Sequence, residues 1–399
     1  MALTISKKCM AIAPSVTLAI SAKAKELRAQ GIDVIGFGVG EPDFDTPKYI
    51  CDAAKRAIDA GCTRYTPVAG VIELRQAIVQ KLKKDNGLDY QPDQIIVSNG
   101  AKHTLFTALS AIIDPGDEVL IPAPAWVSYP EMVAMTGGVP VLVQACEAQD
   151  YLVTIDQLRA ALTPRTKAII INTPNNPNGN VMPRALLKQI ADFAVENALY
   201  VISDEIYEKL IYDGAEHVSI ASLGDDIKAQ TIVVNGVSKT YAMTGWRIGY
   251  AAGPLDVVKA MTRFQSHATS NANSIAQMAA AEALKNGEKD IAAMVAEFDA
   301  RRVLMHGLIN GIDGLSANKP MGAFYAMMNI SRLIGKRFSG EEITGSVSFS
   351  DLLLKYAHVA VTPAKAFGAD DHVRLSYAVD RKSIEEGLKR IAGFVAGLE

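Results

Sequence analysis

The residues best equipped for chemistry lie in one short run, Val234-Asn-Gly-Val-Ser-Lys-Thr-Tyr-Ala-Met-Thr-Gly-Trp-Arg-Ile-Gly-Tyr250. Lys239 sits there in a turn of small and polar residues, between two stretches that read as buried strands, Thr231–Asn235 and Trp246–Ala252. An amine in such a turn has little packing to do. Ser238 and Thr240 flank it and Arg247 lies eight positions on, a set able to hold a phosphate beside a reactive amine. A solvated loop lysine is the ordinary alternative. Residues elsewhere in the chain have to decide between the two.

The elements that would position this turn form a run of apolar strands alternating with helical segments. Strands read at Gln94–Ser98, Glu118–Ile121, Val139–Val143, Ala168–Asn172, Tyr200–Ser203, Thr231–Asn235 and Arg247–Ala252. Their apolarity is continuous rather than alternating, which predicts burial on both faces and a mostly parallel seven-stranded sheet with helices on either side, an α/β fold. Helices read at Lys102–Ile113, Trp126–Met135, Thr154–Leu162 (opened by a Thr154/Gln157 capping box) and Arg184–Asn197. Thr46-Pro47 predicts another, with proline first and Gly61 closing it. After about Ile275 the pattern becomes α+β. A long helical stretch reaches Phe298–Leu308, and beyond it come a strand over Gly322–Met328, a polar insert at Ile330–Gly345, a segment Ser350–Tyr356, a strand over His372–Ala378 and a helix from Asp380 to Leu398. The expected division is a large α/β domain over 46–290, with 1–45 and 291–399 forming a smaller α+β domain that closes over the site.

Parallel sheets bind ligands beyond the carboxyl ends of their strands, so the residues just past each strand describe the site. Past the first come Asn99-Gly100-Ala101-Lys102, small residues whose bare N–H groups open a helix and make an anion cradle. Past the second comes Trp126, which supplies an aromatic face. The turn Thr173-Pro-Asn-Asn176-Pro-Asn-Gly179, then Asp204 and Tyr207, then Ser238 and Lys239 complete the set. Singly these have plainer readings, with Asp204 a helix cap, Trp126 core packing and Asn176 a turn former. Together they suit a phosphorylated aromatic ring whose aldehyde meets the lysine as a Schiff base, and pyridoxal 5′-phosphate is that cofactor. Gly36-Phe-Gly38-Val-Gly40 hints at a dinucleotide loop, but Glu41-Pro42-Asp43 stands where a helix should begin.

Bulk composition agrees and excludes alternatives. At 399 residues two domains are expected. Apolar residues make up 49% and charged residues 21%, an ordinary globular mixture, and a net charge of −3 gives nucleic acid or an anionic membrane no hold. The four cysteines, Cys9, Cys51, Cys62 and Cys146, have no CxxC spacing, and the six histidines form no HxxxH pair, so no metal site is expected. Lys7-Lys8 ahead of Cys9–Ala22 loosely suggests a secretory signal, but Pro14, Ser15 and Thr17 interrupt the apolar run. A helix capped by Ser15, with Val16, Ile20, Ala24 and Leu27 on one face and a stop at Gly31, is the better reading, and it implies a cytoplasmic protein.

In order and nearly from end to end, the motifs resemble those of the fold-type I, class I and II aminotransferases. They are Gly40-Glu-Pro-Asp-Phe-Asp-Thr-Pro47, Tyr65-Thr-Pro67, Asn172-x-Pro-x-Asn-Pro-x-Gly179, Ser203-Asp-Glu-Ile-Tyr207, Ser238-Lys239, Gly245-Trp-Arg-Ile-Gly249 and Arg374-Leu-Ser-Tyr377. Trp126-Val-Ser-Tyr-Pro-Glu131 resembles most the bacterial aspartate aminotransferases of the short subgroup Ib type. The resemblance implies that Lys239 is the cofactor-linked lysine and proton shuttle. Asp204 would meet the ring nitrogen, and Tyr207 and Asn176 the ring oxygen. Gly100, Ala101, Lys102, Ser238 and Arg247 would form the phosphate cup, with Trp126 as the stacking plate. Tyr65 would reach the phosphate of a neighbouring subunit, which implies a homodimer with shared active sites. Gly40 and Arg374 would meet the substrate, Arg374 as a fork on its α-carboxylate.

The same resemblance places Lys102 at the substrate's side-chain carboxylate, and Ser15 and Thr17 in a segment closing over it. The activity expected is amino transfer between L-aspartate and 2-oxoglutarate. An aromatic or prephenate aminotransferase, or a C–S lyase, on the same scaffold is the nearer alternative, and a non-catalytic binding module the distant one. Two departures stand out: Ala125 where relatives usually carry an aromatic residue, which would widen the pocket, and Ala101 where they carry glycine.

Overall fold

The computed structural model describes residues 4–12 and 16–399. Its centre is a seven-stranded sheet in the order Ile95–Ser98, Gly249–Ala252, Thr231–Gly236, Tyr200–Asp204, Thr166–Asn172, Glu118–Ala123, Val139–Gln144. All neighbouring pairs are parallel except those made by Gly249–Ala252, which runs antiparallel to both its neighbours. Successive residues of a strand enter opposite cores. Val233 packs with Ile78 and Leu82 on one face, whereas Ile232 and Val234 pack with Leu105, Leu109 and Met261 on the other. Likewise Ile169 and Ile171 join Leu187 and Ile190 while Ile170 joins Val133. Burial on both faces matches the unbroken apolar runs of these strands, but the edge strand Val139–Gln144 departs from it, with Val139 and Leu142 exposed because no strand lies beyond them.

Most helices start where local chemistry puts them. Thr154 and Gln157 form the capping box of Ile155–Ala161. Pro47 stands one place earlier than expected, as the cap of Lys48–Asp59, and Gly61 comes just after that helix with φ +74°. The N-terminal helix is Val16–Ala29, and a short helix Lys7–Ala11, capped by Ser6, precedes it. Ser15, its expected cap, lies outside the described residues. Helices Ile72–Asn86 and Ser274–Asn286 join Lys48–Asp59 in the layer over one face, while Glu288–Asn310 packs on Arg381–Ala396 and Tyr325–Asn329.

The remainder forms a smaller antiparallel sheet, Thr362–Pro363, His372–Ser376 and Tyr325–Asn329, backed by Arg381–Ala396, whose Asp380 cap accepts the Ser383 N–H. The polar insert carries a hairpin of two-residue strands, Arg337–Phe338 and Glu341–Glu342. Ser346–Leu352 is helical and continues as a π-helical turn to Ala357, earlier than the expected Ser350–Tyr356. Ile35–Gly36 pairs in parallel with Val359–Ala360, and the next helix begins only at Lys48, so the Gly36–Gly40 run opens no helix. Among the described residues no helix is long and apolar enough to cross a membrane.

Candidate active site

The carboxyl ends of the parallel strands open onto a cavity of about 670 Å³. At one end, helix Ala101–Ile112 starts from Gly100, whose φ of +87° only glycine adopts freely. A Cβ on Gly100 would lie 2.4 Å from the Arg247 guanidinium, and one on Gly249 would lie 2.2 Å from the Ala101 nitrogen. The helix start is therefore bare backbone, with Arg247 laid across it and Gly249 pressed beneath. Its first N–H groups have no carbonyl one turn back to bond. Arg247 has a left-handed backbone (φ 56°) and is fixed by Nη1 donating to the Thr244 carbonyl at 2.9 Å. This is why the strand expected from Arg247 begins only at Gly249. Ala101, Lys102, Ser238 and Arg247 line the cavity together.

Lys239 projects into the same space, where Nζ donates to the Gly40 carbonyl at 2.6 Å and stands 5.8 Å from the Phe324 ring. Burial pulls its pKa down to about 8; Arg247 and Arg374 add to the shift, while Glu41 and Asp204 oppose it. Asp204 ends its strand buried, accepting from the Tyr129 hydroxyl at 2.7 Å and the Ile206 N–H at 3.2 Å. Burial raises it to about 6, with the Tyr129 hydrogen bond opposing. Tyr207 meets the Tyr325 hydroxyl at 2.9 Å, and burial pushes its phenol far up.

Arg374 is 2% exposed. Its Nη1 donates to Asn176 Oδ1 at 3.0 Å, its Nη2 to the Gly38 carbonyl at 2.9 Å, and its plane lies over Tyr325 at 4.4 Å. Nε is buried with no partner, and no carboxylate among the described residues pairs with the guanidinium. A buried guanidinium with spare donors and no counter-ion is a receptor for an anion. Lys102 lies over the Trp126 ring, 4.8 Å from its centroid, and burial, then Arg247, lowers its pKa.

The cavity gathers nearly all the residues expected of the site. Gly40, Ala101, Lys102, Trp126, Asn176, Asp204, Tyr207, Ser238, Lys239, Arg247 and Arg374 line it, and Gly100 abuts it through Arg247. Tyr65 is 92% exposed and is not part of this chain's own cavity. Ser15 lies outside the described residues, and Thr17 is placed only as a member of helix Val16–Ala29. Ala125, the departure expected to widen the pocket, is a core residue. It is 4% exposed and packs in the core with Tyr129 and Val133, outside the cavity lining. Sequence reasoning missed Tyr129, Tyr325 and Ile12, which also line the cavity. Tyr129 stands three places after Trp126, a spacing that puts two side chains on one side of a helical turn. Tyr325 is placed by strand pairing, opposite Ser376 and so beside Arg374, and no local signal marks it.

The chain is similar to known proteins over nearly its whole length. The family model described as aminotransferase class I and II matches residues 32–391. An aspartate aminotransferase of Bacillus sp. (strain YM-2) is 49% identical over 98% of this chain and 99% of its own length. An aspartate/prephenate aminotransferase of Cereibacter sphaeroides is 46% identical over 97% of each. The crystal structure of an aspartate aminotransferase from Rhizobium meliloti superposes with a TM-score of 0.96 at 41% identity, covering 100% of both chains.

Proposed function

The chain belongs to the class I and II aminotransferases, enzymes that use pyridoxal 5′-phosphate, and on that premise we propose that it moves the amino group of L-aspartate to 2-oxoglutarate, giving oxaloacetate and L-glutamate. The observation that carries the substrate reading is the pair of cations lining one cavity. Arg374 comes from strand His372–Ser376 and Lys102 from helix Ala101–Ile112, and neither has a carboxylate partner among the described residues. Two such cations suit a substrate with two carboxylates.

The residues fit the cofactor. The bare helix start with Ser238 and Arg247 offers N–H, hydroxyl and guanidinium donors to a phosphate dianion. Asp204 is a buried carboxylate lacking a cation, the partner that a protonated ring nitrogen would be. Tyr207 and Asn176 would hold the ring oxygen, and Trp126 would cover the ring face. When bound, the cofactor supplies an aldehyde that accepts the amine and a ring that accepts electrons.

The protein's own residues do the rest. Lys239, held near pKa 8, has a neutral fraction at physiological pH, so Nζ can take a proton from the substrate carbon and return it elsewhere. Arg374 fixes the α-carboxylate by its fork and thereby the orientation of the bond to be broken. Gly40 presents backbone to the substrate. Ile12 lines the cavity from the N-terminal segment that holds Ser15 and Thr17, and closure of that segment with 1–45 and 291–399 over 46–290 excludes water. Tyr65, exposed on its own chain, reaches the phosphate of a partner subunit in a homodimer with shared sites. The four cysteines are free thiols, which suits a reducing cytoplasm.

Prephenate also carries two carboxylates and satisfies the same pair of cations, so amino transfer to prephenate is the second reading, and several relatives bear that name. Competition among aspartate, prephenate, tyrosine and alanine on the purified enzyme separates the readings. Lys102→Ala is expected to lower kcat/KM for aspartate by about 1–3 kcal/mol while leaving alanine unchanged. An unchanged preference for aspartate over alanine in that variant would remove Lys102 from substrate recognition.

A further inference from the structure

The segment Ser203–Glu208 faces two ways. Asp204 and Tyr207 line the cavity, whereas Glu205 and Glu208 point into a buried polar layer away from it. Glu205 accepts from the Ser203 hydroxyl at 2.9 Å and the Ser219 hydroxyl at 2.6 Å, and His217 Nε2 lies 3.1 Å away. Glu208 accepts from the Asn86 amide at 3.0 Å and the Asn235 amide at 2.8 Å, and is ion-paired with Lys81. Glu205, Glu208 and His217 bring ligand atoms within 4.8 Å of one another, a set that could hold a metal ion. Lys81 already supplies the positive charge at Glu208, so the cluster has a different use.

That use lies in where the sheet stops. The parallel ladder between Tyr200–Asp204 and Thr231–Gly236 ends at Asp204 opposite Val234, with one more backbone bond from the Glu205 N–H to the Val234 carbonyl at 2.9 Å. Beyond it the two chains part. One turns to place Tyr207, and the other turns through Ser238 to Lys239. Glu208 to Asn235 is the one side-chain hydrogen bond between residues 205–210 and 235–243 among the described residues. Asn235 is itself fixed, because its Oδ1 accepts the Gly236 N–H at 2.7 Å. Lys81 and Asn86 anchor the Glu208 carboxylate to helix Ile72–Asn86, so the tie is braced from outside the sheet.

We propose that Glu208, through Asn235, is a positioning residue that fixes the distance between the turn bearing Asp204 and Tyr207 and the turn bearing Lys239. The proposal rests on the reading that those three residues hold the cofactor. Neither Glu208 nor Asn235 lines the cavity, so neither touches cofactor or substrate. Their effect is on alignment: a carboxylate that holds the ring and an amine that must meet it on one side are useful only at a fixed separation.

The test compares two asparagines that donate to the same carboxylate. Asn235→Ala cuts the tie to the lysine turn, whereas Asn86→Ala cuts only the brace to the helix. Both are expected to lower the Tm of the cofactor-free protein. Only Asn235→Ala is expected to weaken binding of pyridoxal 5′-phosphate to that protein and to lower kcat, each by about tenfold with KM for aspartate little changed, and to move the pH midpoint of the visible absorbance. A Tm loss in Asn235→Ala with affinity, absorbance and kcat at wild-type values would overturn the proposal. So would Asn86→Ala moving those readouts equally. Should Asn235→Ala not accumulate as folded protein, Asn235→Ser decides by the same readouts. Lys239→Ala run alongside separates the two layers of argument. If it retains visible absorbance and turnover, the site reading itself fails. If it loses both while Asn235→Ala behaves as wild type, only the positioning role fails.

Discussion

Lys239 and Asp204 are moved from their ordinary protonation in opposite senses by one cause, since burial disfavours whichever form is charged. For Lys239 this is useful in itself, because a neutral amine is the reactive one. Lys239→Ala is expected to abolish turnover and the visible absorbance of the loaded enzyme while gel filtration and circular dichroism stay unchanged; residual transamination would remove Lys239 from the chemistry. For Asp204 the shift is a cost carried until a cation arrives. Its carboxyl rises from 3.8 to about 6 on folding, so its contribution to stability is complete below pH 3.8 and is lost as the pH climbs through 6. Asp204→Asn is therefore expected to stabilise the cofactor-free protein at pH 8 by about 1–3 kcal/mol, with no gain at about pH 3.5, and to abolish turnover. Denaturant melts at the two pH values check it. These roles were legible as residue types after strands. The shifts were not, because burial is a property of the packed interior.

At the scale of elements, the proposed phosphate cup is a contact between two backbones. The Ala101–Ile112 helix start and the Gly249–Ala252 strand approach so closely that a methyl group on Gly249 would fall 2.2 Å from the Ala101 nitrogen. Gly249→Ala is expected to push the helix start aside and weaken binding of pyridoxal 5′-phosphate by about tenfold or more, read by titration of the cofactor-free protein. Wild-type affinity in that variant would show that the helix start does not hold the phosphate. The strands were legible because burial on both faces leaves an unbroken apolar run. The antiparallel direction of Gly249–Ala252 was not, since hydrogen-bond direction leaves no mark in side-chain pattern. Nor was the start of that strand, because Trp246 and Arg247 look extended until Arg247 is seen in the left-handed region.

At the scale of the whole molecule, the cavity lined by one chain leaves Tyr65, an expected site residue, outside it. Tyr65 is 92% exposed on its own chain. If it serves the neighbouring subunit, Tyr65→Ala protomers mixed with Lys239→Ala protomers form dimers having one intact site, built from the lysine of the first and the tyrosine of the second. Co-refolding the two weakly active or inactive variants is expected to restore activity, and no gain over the separate variants would place Tyr65 outside the site. The smaller sheet makes a parallel point: Arg374 is brought to Asn176 and Gly38, far apart in the chain, by pairing of His372–Ser376 with Tyr325–Asn329 and packing against the large sheet.

The sequence by itself determined the reaction. In the proposed reading Lys239, Asp204 and Arg247 suit an amine, a ring nitrogen and a phosphate and were found at strand ends from local patterns of apolarity and turns, whereas Arg374, inside a strand, was picked out only by the resemblance. Only the tertiary structure decided what surrounds them. Tyr129 on Asp204, Tyr325 on Tyr207, Ala125 in the core and Glu208 tied to Asn235 are contacts between segments distant in the chain. Such contacts are set by how helices and sheets pack, and packing is a property of the whole chain that no local run of residues encodes.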